Sequence, residues 1–341
     1  MELNNRLILG IESSCDDTAV AITRGFEVVA SVINSQDVHE QFGGVVPEMA
    51  SRSHIERIIP TLTEALKEAK VTLSEIDGID AEILLAHVLG ISRMELHNPL
   101  VLERTLESLG DATIALETFH DLLARRISHE PLQYITGIAY FRNLELKVGP
   151  GVLVPRPESE LLVGAVLNHI ANLPAPVSVI DLGSGSGALA LAIATEAANS
   201  RVIAVEKSDE ALIWLKKNVE AIVEDLRIVQ SDVSDALVGI KCDVVIANPP
   251  YIEDESDLPR DVVEHEPAIA LFGGKDGMDA PRAFIAASSR LLKSGGLLAI
   301  EHNEKQGALI AGELNQDFEE IQLHLDLVGR PRWTSAIRKM I

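Results

Sequence analysis

The C-terminal part of the chain alternates between short apolar runs and longer segments whose apolar residues recur at helical spacing. The runs predict buried strands at 178–182, 202–205, 226–229, 243–247 and 296–300. The segments between and around them predict helices at 158–172, 188–197, 209–219 and 281–292, and Pro157 is suited to the first turn of the first of these helices. Strands and helices that alternate in this way are typical of a parallel, doubly wound α/β sheet. We therefore predict such a domain at residues 151–341, with a closing antiparallel pair of strands, 321–326 and 335–340, at one edge.

The pattern upstream of this domain is mainly helical. Apolar spacing predicts helices at 81–89, near 100–109 and at 114–127. Asp80 is suited to cap the first of these helices, and Gly90 is suited to end it. Roughly alternating apolar residues over 141–148 then predict a β-hairpin. We therefore expect a small helical domain at 81–130 and a linker hairpin at 131–150.

The first eighty residues follow a third pattern. Apolar runs at 7–11 and 19–22, separated by a polar turn, predict a β-hairpin, and 26–33 predicts a third strand. Helical spacing over 47–70 predicts a helix that is bent at Pro60. Residues 1–80 are thus expected to form an α+β fragment of their own.

The composition narrows the classes of function. The chain has 341 residues, of which 47% are hydrophobic, and its formal net charge is −23. A large non-specific nucleic-acid surface needs clustered lysines and arginines, so we expect no stable binding to nucleic acid. No apolar run reaches about 18 residues, which predicts no membrane span. The first residues lack the basic and then apolar pattern of a secretory signal, so the predicted location is the cytoplasm.

The cysteines and histidines indicate no metal site. Cys15 and Cys242 lie in apolar runs far apart in the sequence, which favours two buried, reduced thiols over a disulfide or a cysteine metal site. His39 and His54 are isolated, and we interpret both as ordinary surface histidines.

A glycine-rich loop follows the first strand of the predicted sheet and opens a helix. Its candidate ligand-binding residues are Asp181, Gly183, Ser184, Gly185 and Gly187. Glycine permits positive φ, and a ligand can lie against bare backbone at such a turn. Glu206 ends the next strand, where a carboxylate can accept both hydroxyls of a ribose. The spacing also fits the dinucleotide fingerprint G-x-G-x-x-A, so an NAD-dependent dehydrogenase stays open at this point.

Two more polar features follow the next two strands. Asp232 comes after the third strand, and the tetrapeptide Asn248-Pro249-Pro250-Tyr251 comes after the fourth. Proline has a fixed φ and no amide hydrogen, so the fourth strand must stop there. Because the C-terminal ends of parallel strands share one edge of the sheet, we expect these groups to meet the glycine loop at a ligand site. A long irregular stretch, 252–278, is predicted after them.

This set of strand-end motifs resembles the class I S-adenosylmethionine-dependent methyltransferases that act on a planar nitrogen. The resemblance implies that Asp181 and the glycines lie near the methionine part of S-adenosylmethionine, and that Glu206 binds its ribose. It also implies that Asp232 lies near the adenine amino group and that Asn248 contacts the cofactor as well as the substrate. A turn cap is the alternative role for Asp232, and a tight turn without ligand is the alternative for the glycine loop.

The tetrapeptide suits methylation of an amide or exocyclic amine nitrogen, whose lone pair is delocalised. The Asn248 side-chain oxygen and the Pro249 carbonyl are two acceptors for the two N–H groups of such a nitrogen. Holding both groups aims the lone pair at the methyl donor and favours the positive charge that develops. The Tyr251 ring is expected to stack on the planar group. A strong general base is not required, because the methylated nitrogen loses its proton readily.

Longer stretches are similar to the HemK/PrmC family, which methylates the glutamine of the Gly-Gly-Gln loop in class I peptide chain release factors. Besides the glycine loop and the tetrapeptide, they are 80–87, 130–137, 154–160, 266–268, 271–274 and 301–302. The resemblance implies a protein-(glutamine-N5) methyltransferase of translation termination whose partners are those release factors. It also implies that Arg156, Glu158 and Pro250 contact the substrate beside Asn248. An N6-adenine DNA methyltransferase is the alternative enzyme.

The N-terminal residues resemble a different family. Stretches 11–18 and 42–52 are similar to the beginning of TsaD, the tRNA threonylcarbamoyladenosine synthesis protein, which has an actin-like fold. The similarity covers only the first part of such a protein, too little to enclose a nucleotide. It implies a fusion remnant or appended module at 1–80. A residual role in tRNA modification and a catalytically impaired fusion product are the further alternatives.

Some positions depart from the HemK/PrmC pattern. The first helix of that family is missing or is replaced by TsaD-like sequence, so docking of a release factor by the helical domain is expected to be affected. Asn303 stands where a glycine is usual, and Ser159 replaces a usual threonine, which is a mild change. Glu206 replaces a frequent aspartate and can do the same job with a side chain that is one methylene longer.

Overall fold

The computed structural model describes residues 7–14, 17–25, 27–35, 64, 79–108 and 112–340. It divides into two compact units, Met1–Leu123 and Ala124–Ile341. Several predictions from the sequence lie outside the described residues: Cys15, His39, His54, the stretch 42–52 and, apart from the helical Glu64, the helix at 47–70. Within the described ranges, no helix is long and apolar enough to cross a membrane.

The first unit begins with a three-stranded antiparallel sheet. Its strands are β1 (Leu7–Ser14), β2 (Asp17–Arg24) and β3 (Glu27–Ser35), in the order β1-β2-β3. The predicted hairpin and third strand are therefore confirmed. Four apolar residues form a small core in this sheet: Leu7, Val20, Ile22 and Ala30.

Helices follow in the chain. They are α1 (Ile79–Leu89), a 3₁₀ turn (Arg93–His97), α2 (Pro99–Ser108) and α3 (Ala112–Ile127). All three predicted helices are confirmed, but the prediction of an N-cap at Asp80 is wrong, because Asp80 is the second residue of α1. Its carboxylate still lies in the first turn of α1, where the positive end of the helix dipole stabilises its negative charge. Gly90 ends α1 as predicted, with a φ of 68°.

A short helix and a hairpin precede the large sheet in the second unit. The helix is α4 (Leu132–Thr136), and the hairpin joins β4 (Ile138–Phe141) to β5 (Leu144–Lys147). The predicted hairpin is thus confirmed, whereas α4 lies in a segment for which no helix was predicted.

The large sheet has seven strands in the order β11-β12-β10-β9-β6-β7-β8. They are β6 (Val177–Leu182), β7 (Ser200–Glu206), β8 (Arg227–Gln230), β9 (Cys242–Ala247), β10 (Leu292–Glu301), β11 (Phe318–Leu325) and β12 (Pro331–Arg338). Strands β6 to β10 run parallel, and β12 runs antiparallel to both β10 and the edge strand β11. The predicted doubly wound α/β fold with an antiparallel pair at one edge is confirmed.

Alternate residues of the central strands point to opposite faces of the sheet, and helices cover both faces. The helices are α5 (Ser159–Ile170), α6 (Ala188–Glu196), α7 (Asp209–Ile222), α8 (Arg260–Val263), α9 (Ala268–Leu271), α10 (Asp279–Leu291) and α11 (Gly307–Leu314). Val179 packs in one core with residues of α5, α6 and α7. Ile180 packs in the other core with residues of α10 and α11.

Three sequence predictions are corrected in this unit. Pro157 is not in the first turn of α5 but in the turn before it, where Ser159 N donates to Arg156 O (3.1 Å). The stretch 252–278 is not wholly irregular, since it contains the four-residue helices α8 and α9. Helix α11 was not predicted, because its two glycines, Gly307 and Gly312, lower the helix propensity of an eight-residue segment.

Candidate active site

A cleft opens beyond the C-terminal ends of β6, β7, β8 and β9. The chain winds outward from β6 to β8 on one side and returns to β9 on the other, which makes this the switch point of the sheet. Eight of the predicted site residues line the cleft: Arg156, Gly183, Ser184, Gly185, Glu206, Asp232, Asn248 and Pro250. The sheet thus brings together groups that are far apart in sequence.

The other five predicted site residues are not on the cleft lining. Asp181 and Pro249 are buried. Gly187 packs against α7, since a Cβ placed there would lie 2.7 Å from Leu215 Cδ1. Glu158 precedes α5 in a turn, and the hydroxyl of Tyr251 donates to a buried carboxylate rather than facing the cleft.

Glu206 holds the glycine loop and the start of α7 together. Its Oε2 accepts from Gly185 N (2.8 Å), while its Oε1 accepts from Lys207 N and Ser208 N (both 2.8 Å). Ser208 in turn caps α7, because its hydroxyl accepts from Ala211 N at 3.2 Å. The carboxylate is therefore fixed at the end of β7 with both oxygens against backbone donors.

Asp181 is fully buried at the end of β6. Its Oδ2 accepts from Ala190 N (3.2 Å), and its Oδ1 has no hydrogen-bond partner in the structure. Burial raises the pKa of Asp181 to about 7, and the nearby Glu206 charge adds to this rise. An unpartnered buried carboxylate oxygen is rare in proteins and marks a place where a donor from a ligand or a water would be accommodated.

Asp232 stays ionised at the cleft edge. Its Oδ1 accepts from the backbone amide of Ser234 (3.0 Å) and from its hydroxyl (2.9 Å), and these bonds lower the pKa of Asp232. Lys207 Nζ lies 3.5 Å from Asp232 Oδ2, and both side chains are about half exposed. Asp232 thus caps a turn through its Oδ1, which is the alternative role predicted for it. Its Oδ2 takes no part in that cap.

Apolar side chains form much of the cleft wall between these polar groups. They are Val152, Leu189, Val205, Val233, Ile269, Phe272 and Phe284. Such a lining, with a few polar groups fixed among the apolar ones, is typical of a small-molecule site. The sequence motifs did not indicate these residues, because their spacing carries no signal beyond that of ordinary core positions.

Asn248 is held by a network of side chains, of which Ser159 also lies on the cleft lining. Asn248 Nδ2 donates to Ser159 Oγ (3.3 Å), and Ser159 Oγ donates to Glu301 Oε2 (2.5 Å). The Tyr251 hydroxyl donates to the other oxygen, Glu301 Oε1, at 3.2 Å. We call these four residues the Ser159 network. Sequence reasoning included Ser159 and Glu301 only as members of similar stretches and assigned neither a role.

The C-terminal ends of β9 and β10 are also tied together through Gln306. Its Nε2 donates to the carbonyls of Tyr251 (2.9 Å) and Gly277 (3.1 Å), and its Oε1 accepts from Asn303 N (3.0 Å). Gln306 is buried, so these bonds fix the loop that carries the tetrapeptide. Asn303 stands at the turn that Gln306 closes.

Arg156 forms an ion pair at the cleft. Its Nη2 donates to Glu266 Oε1 (2.7 Å), and Glu266 Oε2 accepts from Val154 N at 3.2 Å. The Glu266 side chain is only 2% exposed. Burial raises the pKa of Glu266, and the charge and hydrogen bond of Arg156 oppose that rise. The pair therefore anchors the segment before α5 to the segment before α9.

Arg156→Ala is expected to lower the free energy of unfolding by about 2 kcal/mol at pH 8, because Glu266 is left buried with one amide donor. The loss should be smaller at pH 5. Without Arg156 the folded-state pKa of Glu266 rises further above its unfolded value, and a raised folded pKa makes stability fall as pH rises. Urea unfolding at the two pH values measures both losses.

The matched control is Arg260→Ala, which removes an exposed pair with Glu264 and should change stability little. Equal losses for Arg156→Ala at pH 5 and pH 8 would contradict the pH dependence assigned to Glu266.

Three family models match parts of this chain. The methyltransferase small domain matches residues 158–274, which contain the glycine loop, Glu206, Asp232 and the tetrapeptide. The PrmC N-terminal domain matches residues 63–137, and TsaD, tRNA N6-adenosine threonylcarbamoyltransferase, matches residues 27–81. The PrmC N-terminal domain match begins at residue 63. The end of the segment 1–80, which was expected to be TsaD-like, therefore matches the PrmC N-terminal domain as well.

Curated relatives match over most of the chain. The release factor glutamine methyltransferase of Mycolicibacterium smegmatis is 39% identical over 286 residues, covering 81% of this chain and 98% of the relative. The protein of the same name from Streptomyces coelicolor is 40% identical over 265 residues, covering 75% and 89%. A solved methyltransferase structure from Pyrococcus furiosus is 19% identical, covers 65% of this chain and 99% of that one, and has a TM-score of 0.46. The chain belongs to the family of release factor glutamine methyltransferases.

Proposed function

We propose that this chain transfers a methyl group from S-adenosylmethionine to the side-chain amide nitrogen of the glutamine in the Gly-Gly-Gln motif of class I peptide chain release factors. The observation that carries the proposal is the orientation of Asn248 at the cleft. Its Nδ2 is bonded to Ser159 at 3.3 Å, so Oδ1 is the end of the amide that is left to accept from a substrate. Membership of the release factor glutamine methyltransferase family supports the choice of glutamine over adenine.

The residues of the cleft fit S-adenosylmethionine chemically. That molecule carries a sulfonium and an ammonium charge, a ribose diol and a planar adenine. The cleft supplies the carboxylates of Glu206 and Asp232, and the buried Asp181, two residues before Gly183, has an unpartnered Oδ1. A Cβ at Gly185 would meet only Val152 Cγ2, at 3.8 Å, so a ligand can approach the bare backbone there. Asp181 and the glycine loop would hold the methionine part, Glu206 the ribose, and Asp232 the adenine amino group.

The proposed mechanism assigns one task to each group at the end of β9. S-adenosylmethionine supplies an electrophilic methyl group when it is bound. Asn248 Oδ1 and the Pro249 carbonyl accept the two N–H groups of the substrate amide and thereby fix the direction of its nitrogen lone pair. The same two acceptors stabilise the positive charge that develops on the nitrogen. The methylated nitrogen is positively charged and acidic, and it then loses one proton to water, so no strong base is needed.

The docking of a release factor is assigned to the helical domain at 81–130, with Arg156, Glu158 and Pro250 near the substrate loop. The PrmC N-terminal domain match at 63–137 includes residues 81–130, which supports a domain there that is separate from the methyltransferase domain. The TsaD-like fragment at 1–80 is proposed to be an appended module without a catalytic task. The cytoplasm, where release factors act, stays the predicted location.

Co-expression with a class I release factor tests the proposal. Mass spectrometry of the digested release factor should detect methyl-glutamine in the Gly-Gly-Gln peptide, and the same peptide from cells that carry Asn248→Ala should be unmodified. Adenine-containing DNA, incubated with labelled S-adenosylmethionine, should stay unlabelled. Labelled adenine together with an unmodified release factor would overturn the proposal in favour of the DNA methyltransferase alternative.

A further inference from the structure

The direction of each hydrogen bond in the Ser159 network follows from the chemistry of its members. An ionised Glu301 can only accept, so the single hydroxyl hydrogen of Ser159 points to Glu301 Oε2 at 2.5 Å. The Ser159 oxygen then offers only lone pairs to Asn248. Only the NH₂ end of the Asn248 amide can satisfy them, as the 3.3 Å bond from Nδ2 to Ser159 Oγ shows.

We propose that Ser159 and Glu301 are positioning residues that determine which end of the Asn248 amide faces the methyl-accepting nitrogen. This role rests on the function proposed above, because it matters only where the acceptor group carries N–H bonds. With the amide reversed, the NH₂ of Asn248 would face the N–H groups of the substrate, and two donors would oppose each other without an acceptor.

Ser159 and Glu301 are buried, which restricts the directions that the hydrogen bonds of the network can take. Glu301 is 2% exposed, and Ser159, which lies on the cleft lining, is 3% exposed, so little of either side chain is open to water. The Tyr251 hydroxyl occupies the second Glu301 oxygen at 3.2 Å, which leaves Ser159 as the donor to the first. Ser159 therefore acts on Asn248 directly from the cleft lining, and Glu301 acts on Asn248 through Ser159.

The charge of Glu301 sets these directions, and four groups face it. Ser159 and Tyr251 donate to Glu301, Glu158 repels its negative charge, and Arg332 attracts it. Burial outweighs the donors and raises the pKa of Glu301 to about 7. A protonated Glu301 carries a donor hydrogen, which frees the Ser159 hydroxyl to turn toward Asn248 Oδ1. The orientation should therefore weaken as pH falls through about 7, and methyl transfer should fall with it.

The kinetic test compares Ser159→Ala with Ser159→Thr. We expect Ser159→Ala to slow single-turnover methyl transfer about tenfold at pH 8, with the dissociation constant of S-adenosylmethionine changed less than about twofold. Ser159→Thr keeps the hydroxyl and should restore the rate. Ser288→Ala is the matched control, because Ser288 is also buried and its hydroxyl donates to the Phe284 carbonyl in α10. It should leave the rate unchanged.

The pH profile separates Glu301 from Asp181, whose pKa is also about 7. The wild-type rate should rise with pH through about 7. In Glu301→Gln, which has one fixed acceptor and one fixed donor at every pH, that rise should be absent. A rise that persists unchanged in Glu301→Gln would overturn the role of Glu301.

An activity-independent measurement keeps this role distinct from the proposed function. The side-chain amide signals of Asn248, identified by their loss in Asn248→Ala, can be followed by NMR of the full-length, ¹⁵N-labelled chain. They should shift in Ser159→Ala and on lowering the pH below 7, but not in Ser159→Thr. Signals that are identical in wild type and Ser159→Ala would overturn the inference. Shifting signals in a wild type that methylates no release factor would instead overturn the proposed function.

Discussion

Asn248→Ala is expected to slow methyl transfer to a release-factor glutamine by at least about 10²-fold, because it removes an acceptor that is oriented before the substrate arrives. Loss of one pre-oriented hydrogen-bonding group at a developing charge costs about this much in enzymes that use such groups. The affinity for S-adenosylmethionine should change less than about threefold, since the cofactor is assigned to the ends of β6, β7 and β8. Single-turnover kinetics and titration calorimetry measure the two quantities.

Asn168→Ala is the matched control for this substitution. Asn168 is an exposed asparagine on α5, outside the cleft lining, so its loss should change neither rate nor cofactor affinity. A near-normal rate for Asn248→Ala would refute the role of the Asn248 oxygen. A large loss of S-adenosylmethionine affinity would assign Asn248 to cofactor binding instead.

The elements of the methyltransferase domain could be predicted from the sequence because each carries a strong local signal. Strand β9 is a continuous apolar run that ends at two prolines, and β6 is followed by three closely spaced glycines. The rule that parallel strands present their C-terminal ends at one edge then brought Glu206, Asp232 and Asn248 to one cleft. The structure contains that cleft with these residues on its lining.

The parts that the sequence did not reveal depend on contacts between distant segments. Ser159 and Glu301 are 142 residues apart, and their hydrogen bond exists only because α5 packs at the end of β10. No local pattern distinguishes a serine that orients an amide from a serine at any helix start. The same holds for Tyr251, which was expected to stack on the substrate: its hydroxyl is bonded to Glu301, and Tyr251 is not on the cleft lining.

The hydrogen bonds of Glu206 restrict the side chain at position 206 to one with two acceptor oxygens. This requirement is stricter than the need for an acidic group near a ribose. Both carboxylate oxygens of Glu206 face backbone donors, Gly185 on one side and Lys207 with Ser208 on the other. Glutamine has the same shape but carries one acceptor and one donor. Whichever way its amide turns, the NH₂ group meets a backbone N–H, and buried opposed donors cost about 1–3 kcal/mol.

Glu206→Gln is therefore expected to raise the dissociation constant of S-adenosylmethionine about 10²-fold, and Glu206→Asp, which keeps two acceptors, should raise it far less. The loss has two causes, because the substitution loosens the glycine loop and removes the charge that is assigned to the ribose hydroxyls. Titration calorimetry measures the affinities, with Glu220→Gln on the exposed face of α7 as the control. Wild-type affinity in Glu206→Gln would show that the carboxylate is not needed, whereas equal losses in the Asp and Gln variants would mean that side-chain length, and not acceptor count, fixes the loop.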